Sequence, residues 1–200
     1  VLCEAESLLS ETLQKALEQL KEGYFESAIE GFTLCILSEP EEVRAYEGRA
    51  LANFQIKNWK EAVSDFRKAK ELNPENPENW IGLGMSLAII NEIYPAIDVL
   101  ETLLLKFPQF VRGHIQLARL YYQLGIIKKG RNQLDVALAS RPSLEERRLI
   151  ESLKKEQMTL DKKRFYRPDF EELRRKNKES DSFLKQFFQS VKKKSKNKNS

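Results

Sequence analysis

Cysteine and histidine are nearly absent from this 200-residue chain: two cysteines, Cys3 and Cys35, and one histidine, His114. Two thiols are too few for a disulfide framework or a cysteine-rich zinc site. Cys35 takes a small-residue packing place, and Cys3 lies in an end expected to fray, so a disulfide is not expected and a reducing compartment is the better fit. One histidine excludes a two-histidine metal site or a Ser/His/Asp triad unless another chain contributes. His114 also stands where a packed aromatic is usual. No apolar run reaches eighteen residues, so no transmembrane helix is expected. The start, Val1-Leu2-Cys3-Glu4-Ala5-Glu6, lacks the basic and apolar regions of a secretory signal. Gly82-Leu83-Gly84 hints at a nucleotide loop but falls inside a helical pattern, where close helix packing explains it better. The carboxylates are dispersed along solvated faces. The chain is therefore read as non-enzymatic, with no cofactor, no metal and no small-molecule substrate.

Charge is plentiful but unevenly placed. Residues 1–146 hold 16 Lys/Arg against 22 Asp/Glu, and residues 147–200 hold 18 against 8. An acidic body thus carries a basic tail.

What the body does have is a period. Pro40, Pro74, Pro108 and Pro142 are spaced by 34 residues. Ala28, Ala62, Ala96 and Gly130 precede them by twelve. Phe32, Phe66, Leu100 and Leu134 precede them by eight, and Cys35, Ala69, Leu103 and Ala137 by five. A period of this length signals stacked supersecondary units. Within the second unit, Tyr46, Arg49, Ala50 and Asn53-Phe54 follow three/four spacing up to a turn at Lys57-Asn58. Trp59, Ala62-Val63, Phe66, Ala69 and Leu72 resume it until Asn73-Pro74. Each unit is therefore two helices joined by a tight turn, with small residues at Ala50 and Ala62 allowing close approach. The proline after each second helix supplies no amide to continue it. Asn76-Pro77 offers a cap and a first-turn proline for the third unit. Ser143-Leu144-Glu145-Glu146 is a capping box opening a final helix near 143–163, with an apolar stripe at Leu144, Leu149, Leu153 and Met158. Arg167-Pro168 ends it.

The pattern resembles the tetratricopeptide repeat family. The third unit shows Trp80, Leu83, Gly84, Ala96, Leu100 and Pro108. The fourth shows His114, Leu117, Ala118, Tyr121, Gly125, Gly130, Leu134, Ala137 and Pro142. The first departs at Thr12 and Lys15, although Ala16, Gly23, Ala28, Phe32 and Pro40 fit. The resemblance covers Leu9 to Pro142. It implies an all-α, right-handed superhelical solenoid of four antiparallel helix pairs (about 9–42, 43–76, 77–110 and 111–142), with a capping helix, giving a repeat domain over 1–163 and a basic tail over 164–200.

The resemblance further implies a concave groove built from the first helix of each unit. Its places fall on Leu13, Leu17 and Leu20; on Arg44, Glu47, Leu51 and Phe54; on Ile81, Met85, Ala88 and Ile89; and on Arg112, Ile115, Arg119 and Tyr122. Relatives that hold acidic chaperone tails use a Lys/Asn/Arg clamp. Here those places read Leu13, Leu17, Gly48, Glu78 and Gly82, or one unit on, Glu47, Leu51, Gly82, Arg112 and Gln116, and neither set makes it. The groove is instead rich in Leu, Ile, Phe and Met, which suits an apolar or amphipathic peptide segment. The alternative is that some of these residues pack between helices.

In the tail, Asp169 to Asn177 suits a short helix. Phe183, Leu184, Phe187, Phe188 and Val191 form one apolar face of a helix near 181–194, flanked by Lys185 and Lys192-Lys193-Lys194. This segment is open to three readings: docking back on the repeats, contacting a partner protein or anionic membrane surface, or a nucleic-acid or nuclear-localisation role for Lys192–Lys198. Sequence-specific nucleic-acid recognition is not expected. The function expected overall is a cytoplasmic adaptor or scaffold for a protein partner, with nuclear or membrane-peripheral placement as alternatives. Chaperone-like protection of apolar segments and membrane-surface adaptation are the other readings.

Overall fold

A computed structural model describes residues 2–164, with side chains from 9 to 160. The chain divides into two compact units, Val1–Lys154 and Lys155–Ser200. Of the second, residues 155–164 are described, as helix. The tail residues Phe183, Leu184, Phe187, Phe188 and Val191, and the helices expected around them, lie outside the described residues.

All regular structure among the described residues is α-helical. The order is α1 (Leu2–Glu22), α2 (Phe25–Ser38), α3 (Val43–Gln55), α4 (Trp59–Leu72), α5 (Pro77–Ile89), α6 (Ile93–Lys106), α7 (Val111–Gln123), α8 (Ile127–Ala139) and α9 (Leu144–Arg164). Each helix through α7 packs on its sequence successor, and α7, α8 and α9 share an apolar cluster around Ile115, Leu134 and Ile150. This is the stacked-pair architecture of a helical repeat.

The chain reverses within each pair in the same way. Gly23, Lys57, Asn91 and Gly125, again 34 residues apart, all have left-handed backbone, with φ of 87°, 67°, 67° and 73°. The next residue, Tyr24, Asn58, Glu92 or Ile126, donates its amide to the carbonyl five places back at 2.8–2.9 Å. That bond closes the orphan carbonyls at the helix end and fixes the reversal angle.

Between pairs, the prolines do more than stop a helix. The Pro40 carbonyl accepts from the Tyr46 hydroxyl at 3.2 Å, Pro74 from Trp80 Nε1 at 3.0 Å, and Pro108 from His114 Nε2 at 2.9 Å. Three different ring types thus perform one task at one repeat position. His114 is buried and its Nδ1 meets the Gln133 side-chain amide at 2.7 Å, so both ring nitrogens are engaged in structure.

The closest packing joins the second helix of one pair to the first of the next. A Cβ on Gly48 would lie 2.3 Å from the Phe32 ring, and one on Gly82 would lie 2.4 Å from the Phe66 ring. The missing side chains admit the rings edge to backbone. One repeat further, Gln116 stands in the glycine's place, and the ring's place is taken by the smaller Leu100. A partly buried ion pair adds to the same seam at the first junction. Arg49 grips Asp65 through Nε (2.9 Å) and Nη2 (2.7 Å), and reaches Thr33 Oγ1 at 3.2 Å, linking α2, α3 and α4. Two parallel bonds at fixed geometry make this pair directional.

On one side of the stack, α1 meets α3, α3 meets α5 and α5 meets α7; no even-numbered helix contacts the next even one among the described residues. The odd helices therefore form the shorter, inner face of the first unit. α9 is opened by the capping box: Glu146 N–H donates to Ser143 Oγ at 3.2 Å, and Ser143 N–H to Glu146 Oε2 at 2.8 Å. Its apolar stripe differs from the expected one. Ile150 is fully buried and Leu153 partly, whereas Leu144, Leu149 and Met158 are exposed. One residue along a helix is a rotation of about 100°, so choosing Leu149 over Ile150 turns the face away from α7 and α8.

Two outcomes check this packing. Lys57→Gly relieves left-handed strain of about 1 kcal/mol and raises the melting temperature by roughly 2–4 °C. Gly82→Ala overpacks the Phe66 seam and lowers stability by about 1–3 kcal/mol, and adding Phe66→Leu recovers part of that loss in a double-mutant cycle.

Candidate functional site

Among the described residues, three depressions on the inner face share walls. The first, about 460 Å³, lies over α3 and α5. Leu51, Phe54, Phe66, Ile81 and Met85 form its apolar part, and Glu47, Gln55, Asn76, Glu78, Asn79 and Arg112 its polar part. The second, about 190 Å³, is lined by Met85, Ala88, Ile89, Leu100 and Leu120, with Gln116 and Arg119 on its rim. The third, about 490 Å³, is bounded by Arg112, Ile115, Gln116, Ser143, Glu145, Glu146 and Leu149. Met85 is common to the first two, Gln116 to the last two, and Arg112 to the first and third, so they form one trough across α3, α5, α7 and the start of α9.

Local sequence explains its texture. Leu51 is 48% exposed and Ile89 46%; Leu37 and Leu105 on the even-numbered helices are more exposed still, but Leu51 and Ile89 stand among other apolar side chains inside the concavity. Phe54 is braced from behind by Trp59, edge to face at 4.9 Å between centroids. Gly82 has no side chain, which leaves the Phe66 ring reachable from the trough floor. Met85 contributes a flexible thioether to the shared wall.

The polar side is preorganised. Glu47 Oε1 accepts from Asn76 Nδ2 and from Asn79 Nδ2, both at 2.8 Å. Asn76 simultaneously caps α5, its Oδ1 accepting from the Glu78 amide at 3.1 Å. Glu47 thus sits at the positive end of α5, where a carboxylate is favoured. Arg112 Nη1 pairs with Glu78 Oε1 at 2.5 Å, both half exposed. Among the described residues, no group of three or more His, Cys, Asp or Glu is placed to hold a metal ion. Among them, too, no helix is long and apolar enough to cross a membrane.

The groove places named from sequence distribute unevenly. Glu47, Leu51, Phe54, Ile81, Met85 and Arg112 meet at the first depression, and Ala88, Ile89 and Arg119 at the second. Ile115 borders the third but is 2% exposed, as is Ile81, so both present an edge of floor and not a free side chain. Leu13 is buried among Ala16, Phe32 and Ala45; Leu17 and Leu20 pack beside it. Leu13, Leu17, Leu20, Arg44 and Tyr122 line none of these three depressions. The Tyr122 ring instead fills the space beside Gly130 of α8, within 2.5 Å of where its Cβ would stand. Glu78, Gly82 and Gln116, named from sequence as the places of an absent clamp, also line the trough, whereas Gln55, Asn76 and Asn79 were not anticipated as lining. The signal for the asparagines was the Asn76-Pro77 helix start, which a search for apolar positions passes over.

Residues 43–76, the second helix pair with its linker, match the tetratricopeptide repeat family. A protein SGT1 homolog from Oryza sativa subsp. japonica is 31% identical over 97 residues, 48% of this chain; the matched stretch spans 26% of that relative's length. Among solved structures, MamA superposes with a TM-score of 0.63 at 21% identity, covering 66% of this chain and 77% of its own. MamA residues 41 to the end from Desulfovibrio magneticus RS-1 give 0.63 at 19%, covering 76% and 88%. YrrB, described as a TPR protein with an unusual peptide-binding site, gives 0.58 at 18%, covering 66% and 68%. These similarities establish the fold.

Two groups with displaced acidities lie away from the trough. Burial, with the Glu42 charge adding to it, pushes the fully buried Cys35 thiol up, so it is an inert packing group. Tyr121 is pushed up to about 12 by burial first, then by its hydrogen bond to Glu101 and that carboxylate's charge. Its neutral form is the one the fold favours. The stability it contributes is therefore complete below about pH 10 and lost as pH climbs toward 12. Denaturant midpoints measured from pH 9 to 12 fall more steeply for the wild type than for Tyr121→Phe.

Proposed function

We propose that this chain, built of tetratricopeptide repeats, is a non-enzymatic interaction adaptor that holds an apolar or amphipathic segment of a protein partner in the trough of its odd-numbered helices. The carrying observation is Leu51: nearly half exposed on an inner helix, beside Phe54, Phe66 and Met85 in a depression of about 460 Å³. An exposed apolar wall inside a concavity is a costly feature unless something covers it. The chemistry of peptide capture suits the rest of the lining. A segment lying across α3 and α5 buries large side chains against Leu51 and Met85, while Gln55, Asn76 and Glu47 face its backbone and polar groups. YrrB is described as binding peptide, which supports this reading by analogy of fold. The unpaired, deeply buried Cys35 agrees with a cytoplasmic setting.

Each large aliphatic contact contributes roughly 1.5–3 kcal/mol before ordering costs. Leu51→Glu with Met85→Glu therefore lowers affinity by about a hundredfold or more while leaving helicity unchanged. The check is co-purification of partners by the intact chain and by a form lacking 181–200, each with and without the two substitutions. Retention of the same partners by the folded double variant overturns the reading. Recovery of partners only from the shortened form assigns the tail as a competitor for the trough.

A further inference from the structure

The trough is electrically polarised, and resting on the reading above, we infer that it selects a partner segment carrying a basic residue and an acidic residue at opposite ends of an apolar stretch.

Some of the charges in the trough are already satisfied. Arg112, at the middle, is paired with Glu78 at 2.5 Å and offers little net charge to a ligand. Glu47, at the α3 side, accepts both asparagine bonds on the same oxygen, Oε1; its Oε2 has no partner among the described residues. The two amides hold the carboxylate in place without neutralising it. Arg119, at the α7 side, is exposed on the rim of the second depression, and it makes no hydrogen bond or ion pair among the described residues. Glu145 and Glu146 line the third depression only, so in the two depressions that hold the apolar wall of Leu51, Phe54, Met85 and Ile89 one fixed anion and one free cation stand at its two sides.

The spacing follows from helix packing. Adjacent packed helices lie about 8–10 Å apart, so α3 to α7, two steps along the inner face, is about 18 Å. Extended chain advances about 3.3 Å per residue, so about five or six residues separate the two charged ends. The occupant is thus a short extended segment with a Lys or Arg over Glu47, apolar side chains against Leu51 and Met85, and an Asp or Glu at Arg119. A long cation suits the Glu47 end, because its aliphatic stem lies along the same apolar wall while its head reaches Oε2. Purely acidic segments meet Glu47, and purely basic ones meet Arg119. Both mismatches are repulsive, which is how such a site rejects as well as selects.

The test uses fluorescein-labelled decapeptides sharing a Leu-Phe-Ile-Leu centre. Their flanking pair, five residues apart, is Lys/Glu, Lys/Lys, Glu/Glu or Ser/Ser. Anisotropy titration at ~50 mM salt is expected to rank Lys/Glu first, roughly fivefold or more above Ser/Ser, with the gap closing near ~0.5 M salt. Arg119→Glu, an exposed substitution, moves the preference to Lys/Lys. Glu47→Gln keeps the oxygen that both asparagines bind and removes the advantage of the basic end; its unchanged melting curve separates this effect from a broken repeat contact. Equal affinity for all four peptides, abolished by Leu51→Glu, overturns the polarity and leaves the groove intact. Binding of any peptide that is indifferent to Leu51→Glu overturns the groove itself. Failure of all four to bind overturns the inference.

Discussion

Phe32 and Phe66 occupy space that a Cβ on Gly48 and Gly82 would need, and this contact governs how the first helix pair meets the second and the second meets the third. A ring set against bare backbone brings the second helix of one pair and the first helix of the following pair closer than any side-chain layer would allow. It also has a consequence on the opposite side of that helix. Where Gly82 lacks a side chain, the inner surface is thinned, and the Phe66 ring becomes part of the trough floor. Packing and recognition therefore share residues: the substitution that would crowd the seam would also fill the depression. At the next junction, Leu100 and Gln116 replace the pair of ring and glycine. The side chain restored at Gln116 then stands in the trough, between the second and third depressions.

The seams are reinforced by polar contacts that repeat less strictly than the apolar ones. The proline carbonyls find a donor three times, in Tyr46, Trp80 and His114, because each ring reaches the same place with a different polar atom. Arg49, Asp65 and Thr33 occur together only at the first junction, and Glu47, Asn76 and Asn79 only at the second. Repeat stability is close to a sum of intrinsic terms and neighbour interfaces. Uneven polar reinforcement therefore makes the junctions unequal, and the second junction is the one whose polar clasp lines the trough. On the proposed function, a ligand drawing on the free oxygen of Glu47 would polarise the two bonds on the other and so couple occupancy of the trough to cohesion of that junction.

How much of this was legible beforehand depends on which constraint a residue serves. The period, the turns at Lys57 and Gly125, the capping box at Ser143 and the stop at each proline are local chemistry, and local chemistry is written in neighbouring residues. The groove was legible only in part. A first helix here is packed by its own partner, by the preceding pair and by the following pair, so its exposed arc is narrow. Leu51 and Ile115 occupy different places within their repeats, and rotation about the axis decides that one faces solvent and the other does not. Residue type cannot report that rotation, since leucine and isoleucine serve either side. The same limit moved the α9 contact from Leu149 to Ile150. Asn79 was hidden for the opposite reason: a buried polar side chain is meaningful only once its partner, 32 residues earlier, is known.

Net charge is a poor guide to what the trough accepts. The repeats are acidic as a whole, which suggests basic partners, yet at physiological ionic strength exposed charges are screened beyond about 8 Å. A segment lying between α3 and α7 is dominated by what stands within that radius. Glu78 and Arg112 pair with each other there. What remains is the anion that two asparagines hold in place and the arginine left free at the other end. Long-range attraction can hasten the approach of a basic partner, but on the proposed reading the order of its residues is set by these two side chains, which stand beside the apolar wall with an oxygen and a guanidinium left unpaired among the described residues.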